Sequence, residues 1–193
     1  FGTGLTIPDV EGEPALLGFT SVGASAVSTS ADGVERYDKA ASSVAQQIFA
    51  DTTRRASVVG CMPASPADAT CARSFVSRLG KLMYRRTPST VDLDRLVKLT
   101  LDVGALHKDF WKGAEAAVSA LLQSPKFLYR AELGSPSSGG RVRFSGVELA
   151  SRLAFFVWNA GPDATLIDAG EKGDLDKPAG LAAATTRLLS SDK

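Results

Sequence analysis

The chain has 193 residues, of which 44% are hydrophobic and 22% charged, and 22 Lys+Arg against 21 Asp+Glu leave a formal net charge of +1. That length and balance describe a globular chain able to bury its own core. A near-zero charge offers no field for a phosphate backbone, and no stretch reaches the roughly 18 to 20 consecutive apolar residues of a membrane span, so nucleic-acid partners and a transmembrane segment are not expected.

Residues 1–33 are rich in Gly, Ser, Thr and Pro and carry apolar residues without a period. They read as irregular chain, with a short strand at Leu5 to Ile7. From Gly33 the period becomes helical: Tyr37, Ala41, Val44 and Ile48 form one stripe of a helix over 34–50, with Asp32 as its N-cap.

Cys61 and Cys71, the only cysteines, flank a segment containing Pro63 and Pro66. Their spacing matches neither a redox pair nor a zinc site, and His107 is the only histidine. A loop of this length either closes a disulfide or leaves two buried thiols; the disulfide is the expectation, and it implies a compartment outside the cytosol.

A second helix is expected over 69–85, with Phe75, Leu79 and Leu82 on one face and Gly80 as its weak point. Ser89 or Thr90 then caps a third, with Asp92 in its first turn and Leu93, Leu96, Val97 and Leu101 inward, closed by Gly104. A fourth runs over 108–123 with Phe110, Ala114, Ala117, Val118 and Leu121 buried and Pro125 beyond its end.

Residues 135–144, beginning Ser135-Pro136-Ser137-Ser138-Gly139-Gly140, read as a linker. Ser145-Gly146-Val147-Glu148 is a capping box that opens a fifth helix to about 159, with Leu149, Leu153, Phe156 and Val157 as its stripe. A short helix follows over 163–170. Leu181, Ala184, Leu188 and Leu189 mark a last one that is still running at the final residue. The expected architecture is all-α, a bundle-like array of six to seven helices behind an irregular N-terminal segment. Its expected parts are 1–33, a helical domain over 34–134, the linker, and a second helical segment over 145–193. Both ends read as cut, so the chain is expected to be part of a longer one.

The search for chemistry finds no catalytic residue. His107 stands at the mouth of a helix, where solvation or capping suits it better than base catalysis, and Met62 and Met83 read as packing residues rather than iron ligands. No phosphate loop, dinucleotide fingerprint, metalloprotease helix or Cys-x-x-Cys-His haem site is present.

Charges do recur beside apolar patterning: Arg85, Arg86, Arg130, Glu132, Glu148 and Arg152, with Trp158 nearby in sequence. Glu148 and Arg152 are spaced for an i,i+4 ion pair. These charges either cap helices and bridge them, the reading ion-pair networks favour, or line a groove for an anionic group such as a haem propionate or an acidic sugar.

The run from Cys71 through Arg85-Arg86-Thr87-Pro88 and Phe110 to Ser124-Pro125-Lys126-Phe127-Leu128-Tyr129-Arg130-Ala131-Glu132 resembles the family of domains of unknown function fifteen-ninety-five. Residues Glu148 to Asn159, with Pro162-Asp163, Leu166 and Gly173-Asp174-Leu175, resemble its usual neighbour, fifteen-ninety-two. Gly18-Phe19 through Tyr37, Ala40 and Ala41 resemble the end of the preceding family domain. The sequence departs where Tyr84 precedes the Arg pair and where Thr87 intervenes before Pro88. The resemblance implies an exported, periplasmic or secreted, multi-domain protein of planctomycete or myxobacterial type. It further implies c-type haem in domains beyond this segment or in an associated chain, and carries over no catalytic residue. The chain is then expected to be the helical front portion of a haem-associated redox protein, its partner the remainder of the polypeptide or a haem-bearing chain. The alternative is a non-enzymatic exported scaffold or binding module for a polymer or a protein. With one histidine and no evident carboxylate dyad, a hydrolase has little to be built from.

Overall fold

The computed structural model describes residues 1–12, 15, 17–18 and 29–191. Among them the chain is mainly helical, with a single two-stranded sheet. The helices are α1 (Ala31–Ala50), α2 (Thr52–Val59), α3 (Ala69–Tyr84), α4 (Thr90–His107), α5 (Phe110–Gln123), α6 (Pro125–Leu128), α7 (Gly146–Trp158), α8 (Ala164–Glu171) and α9 (Pro178–Leu189). The strands β1 (Ser135–Pro136) and β2 (Val142–Arg143) pair antiparallel around a 3-10 turn at Ser138–Gly140. The chain divides into two compact units, residues 1–75 with 96–123, and residues 76–95 with 124–193.

In the first unit α1 packs along α5. Small residues make the close approach: Ala40, Ala41 and Ala45 on α1 and Ala114 and Ala117 on α5 are buried, and the hydroxyls of Ser42 and Ser119 meet at 3.2 Å. Ser30, rather than Asp32, caps α1; its hydroxyl accepts the Gly33 amide, while Asp32 in the first turn pairs with Arg36. The helix α2 had no counterpart in the periodicity because it is one short, mostly polar segment; the Asp51 carboxylate starts it by accepting the Thr53 and Arg54 amides.

The N-terminal residues are irregular as expected, and the strand at Leu5 to Ile7 does not form. A side chain substitutes for a neighbouring strand: Gln47 Oε1 accepts the Thr6 amide at 2.8 Å and Gln47 Nε2 donates to the Thr6 carbonyl at 2.7 Å. Arg54 holds the Thr3 carbonyl similarly. The resemblance at Gly18-Phe19 falls where only Gly18 is described.

Helix α4 continues past Gly104 to His107, and Gly104 and Gly113 serve as contact points instead. A Cβ on Gly113 would lie 2.0 Å from the Thr100 carbonyl oxygen, so α5 rests backbone to backbone on α4. The inward face of α4 is Leu96, Val97, Thr100 and Gly104, whereas Leu93 and Leu101 are only partly covered. The buried Thr100 hydroxyl is satisfied by the Leu96 carbonyl.

Cys61 and Cys71 are joined in a disulfide, with Cα atoms 5.8 Å apart. Asp68 organises the loop it closes, accepting the Ala64 and Cys71 amides. Met62 on this loop is exposed, so only Met83 is packing material.

In the second unit α7, α8 and α9 enclose Ala150, Ala154, Leu166, Leu175 and Leu188. Gly146 and Gly170 let α7 and α8 touch: a Cβ on Gly146 would stand 2.2 Å from the Gly170 carbonyl oxygen. Consequently the small residues of α7 face inward, and the expected stripe is corrected, since Phe156 is 89% exposed and Leu149, Leu153 and Val157 only border the core. The same applies to Leu82 on α3 and Leu189 on α9, which are exposed. The capping box at Ser145 and Glu148 forms, and residues 135–144, expected as a plain linker, contain the hairpin.

Removing the disulfide by a Cys61→Ala, Cys71→Ala double substitution is expected to lower the unfolding free energy by about 2 to 3 kcal/mol, measured by urea denaturation. Addition of reductant should then change the stability of the parent chain but not of the variant.

Candidate functional site

Residues 126–134 carry little regular structure, so their backbone groups need partners from elsewhere. Arg85 supplies them on one side. It follows α3 in the left-handed conformation, φ 57°, and the Arg86 amide donates back to the Lys81 carbonyl at 3.1 Å, a Schellman-type ending with arginine where glycine is usual. From there its guanidinium donates to the carbonyls of Lys126 (2.8 Å), Phe127 (3.2 Å) and Tyr129 (2.9 Å). Burial, with the nearby Arg130 and Arg86 cations, shifts its pKa downward.

Glu148 supplies the other side. Its Oε1 accepts the amides of Leu133 and Gly134, both at 2.9 Å, and its Oε2 accepts the Ser145 amide and hydroxyl, both at 2.7 Å. Burial acts to raise this carboxyl's pKa, but the bonds from Gly134, Ser145 and Leu133 outweigh it and hold the value at about 2. The expected Glu148 to Arg152 ion pair is therefore absent: the carboxylate is committed to backbone amides. Arg152 pairs with Glu132 at 2.7 Å, with its guanidinium 4.5 Å from the Phe144 ring centroid.

Glu132 joins two arginines. Its Oε2 accepts from Arg152, while Arg130 Nε lies 3.1 Å from its Oε1 and the Arg130 guanidinium covers the Phe155 ring. Trp158 stands apart from these charges; its indole donates to the Leu188 carbonyl at 2.9 Å, near the end of α9.

Around this arrangement opens a cleft of about 650 Å3. Arg85, Arg86, Arg130, Glu132 and Glu148 all line it, so five of the charged residues picked from the sequence converge, whereas Arg152 and Trp158 do not reach it. Other side chains take part through pairings that no local spacing reveals. Lys126 pairs with Asp92, which also accepts the Ser89 hydroxyl, and the Lys126 ammonium lies 5.7 Å from the Tyr84 ring centroid. Glu171 accepts the Thr87 amide at 2.6 Å and an ion pair from Lys81 at 2.9 Å. Partners 34, 84 and 90 positions apart leave no local spacing to read.

Chemically, Arg85, Arg130, Glu132, Glu148 and Arg152 face carbonyls, amides or each other, which is the structural reading of the charge network. Arg86 is the exception, with no side-chain hydrogen bond or ion pair among the described residues. No group of three or more His, Cys, Asp or Glu among the described residues could hold a metal, and none of their helices is long and apolar enough to cross a membrane.

Glu148→Gln replaces an acceptor facing donors by an amide that must turn its NH2 toward one of them. At neutral pH it should cost roughly 2 to 3 kcal/mol of stability. Because the folded carboxyl titrates near 2 and the free one near 4.5, its contribution is complete above about pH 4.5 and is lost as pH falls toward 2. Urea unfolding across that window should show a steep decline in the parent and a flatter one in the variant. Arg85→Lys cannot span three carbonyls with one ammonium and should cost about 2 kcal/mol in the same assay.

Residues 71–132 match the family model PSD5, a protein of unknown function (DUF1595), and residues 144–193 match PSD4, likewise a protein of unknown function (DUF1592). No curated protein and no solved structure matches the chain. The cleft-forming segments 84–92 and 125–132 lie inside the first match, and Glu148 and Ser151 inside the second. The two matches together cover more than half of the chain, which is thus a protein that carries a DUF1595 domain followed by a DUF1592 domain.

Proposed function

We propose that this chain is the helical portion of an exported protein, periplasmic or secreted, that works with c-type haem in a redox reaction. The observation that carries the reading is the Cys61–Cys71 disulfide in a chain that joins these two domains, because such bonds persist in oxidising compartments. The domain pair supports the association with c-type haem through the resemblance stated above.

The residues of this chain do not fit a haem attachment site. Both cysteines are consumed by one disulfide, leaving no thiol for a thioether, and the one histidine, His107, is exposed at the end of α4 without a Cys-x-x-Cys before it. Haem would therefore belong to another segment of the same polypeptide or to an associated chain. Within that assembly the role of this chain is positional: Arg85 and Glu148 fix an irregular backbone segment, and the cleft beside it offers a rigid surface.

The cleft favours a second reading, a non-enzymatic exported binding module for a polymer or protein partner. An absorption spectrum of the native protein, taken oxidised and reduced without separating associated chains, decides between them. A Soret band with sharp reduced α and β bands is the expected result. A featureless visible spectrum contradicts the redox reading and leaves the binding module.

A further inference from the structure

Helix α7 has two apolar faces. Ala150 and Ala154 lie in the core of the second unit, whereas Leu149 and Leu153 only border it and continue, at steps of four and three, to the exposed Phe156. With Phe155 and with Leu181 of α9 these residues line an open groove of about 550 Å3, a size usual for small-molecule sites. A ring as bare as that of Phe156 inside an apolar wall is surface that a bound molecule would cover.

The groove also has a charged lining of Arg130, Arg152 and Glu132. Both cations share the one carboxylate, and each guanidinium is held against a ring, Arg130 5.0 Å from the Phe155 centroid and Arg152 4.5 Å from that of Phe144. Fixed in this way, both keep donors in reserve. Arg130 approaches Glu132 through Nε and Arg152 through Nη1, so both terminal nitrogens of Arg130, and Nε and Nη2 of Arg152, meet no acceptor among the described residues. The two side chains remain 46% and 49% exposed, within reach of a molecule in the groove.

Charge decides what fits. Two arginines against one glutamate leave the lining a single positive charge in surplus. A second copy laid on this face about a two-fold axis would set like charges against each other, and a neutral or cationic molecule would leave the surplus unmet. A singly charged anion balances it, and a carboxylate matches the planar fork of a guanidinium. An alkyl or aryl tail on that carboxylate would take Leu149, Leu153 and Phe156 out of water.

We propose that this groove binds a monocarboxylate with an apolar tail, Arg130 and Arg152 gripping the carboxylate and the stripe of Leu149, Leu153 and Phe156 receiving the tail. The site goes beyond the haem association and is independent of it, because all the groups it uses belong to this chain.

Titration calorimetry on the full chain tests it with butanoate, octanoate and decanoate below their micelle-forming concentrations, and with octanol and octyltrimethylammonium as probes. Decanoate should bind saturably at one site, with affinity rising about two- to threefold per added methylene, and octanol and the ammonium should bind at least tenfold more weakly than octanoate. Phe156→Ser and Arg152→Gln should each weaken decanoate binding by about tenfold, and Phe156→Ser should leave unfolding stability at the parent value. Leu106→Ser, which removes an exposed apolar side chain of the first unit, should leave decanoate affinity unchanged and so exclude adsorption to bare apolar surface. No saturable decanoate binding, octanol binding equal to octanoate, or parent-like affinity in both groove variants would each overturn the proposal. So would a dimer in sedimentation that Phe156→Ser dissolves, or binding to phosphatidylglycerol vesicles that decanoate does not displace, since the face would then belong to a second copy or to a membrane. A spectrum without haem would leave this result untouched, so the two readings fail separately.

Discussion

The second unit depends on how residues 126–134 satisfy their backbone. A segment with one short helical turn exposes carbonyls at one end and amides at the other, and neither set finds a full complement in helix or sheet. Two side chains supply partners at its two ends. The Arg85 guanidinium takes the carbonyls of Lys126, Phe127 and Tyr129, and the Glu148 carboxylate takes the amides of Leu133 and Gly134. One cation and one anion thereby bond the backbone of five of these nine residues, as a neighbouring strand would bond an extended chain. The left-handed backbone at Arg85 belongs to the same device, since it turns the chain at the end of α3 where the guanidinium meets those carbonyls. Placing a non-glycine residue there costs about 1 to 2 kcal/mol, which the carbonyl bonds offset.

That arrangement also sorts the charges. Once Arg85 and Glu148 are assigned to backbone, Glu132 bridges Arg130 and Arg152, and Lys126 is matched by Asp92. Exposed ion pairs of this sort contribute little stability. Arg86, one position beyond the clamp in sequence, is left with its fork of donors unused. Two adjacent arginines thus have opposite fates: the backbone conformation at Arg85 turns one into the fold, and the next stands exposed at the cleft.

Much of the architecture was legible because it follows local rules. Helix positions came from apolar periodicity, the start of α7 from Ser145 and Glu148, and the disulfide from the spacing of the only two cysteines. Periodicity fails where small residues, rather than large apolar ones, face inward. In α7 the inward face is Ala150 and Ala154, because Gly146 and Gly170 bring the helices too close for Phe156. The Glu148 to Arg152 pair looked sound by spacing, yet the amides of Leu133 and Gly134, 15 and 14 positions earlier, take the carboxylate. Cleft residues were legible as charged signatures, but their roles were not, since Arg85 and Arg86 are identical in composition and differ only in backbone conformation. Lys81, Thr87 and Glu171 meet across more than 80 positions, beyond any spacing rule.

The most direct test is native-state hydrogen exchange of the Leu133 and Gly134 amides, followed residue by residue at neutral pH. If Glu148 closes this segment, both amides exchange far more slowly than those of an open loop, and Glu148→Gln releases them while the amides of α1 and α5 keep their protection. Exchange of both amides at open-loop rates in the parent chain, or unchanged protection in Glu148→Gln, would contradict the claim that these two side chains organise the cleft.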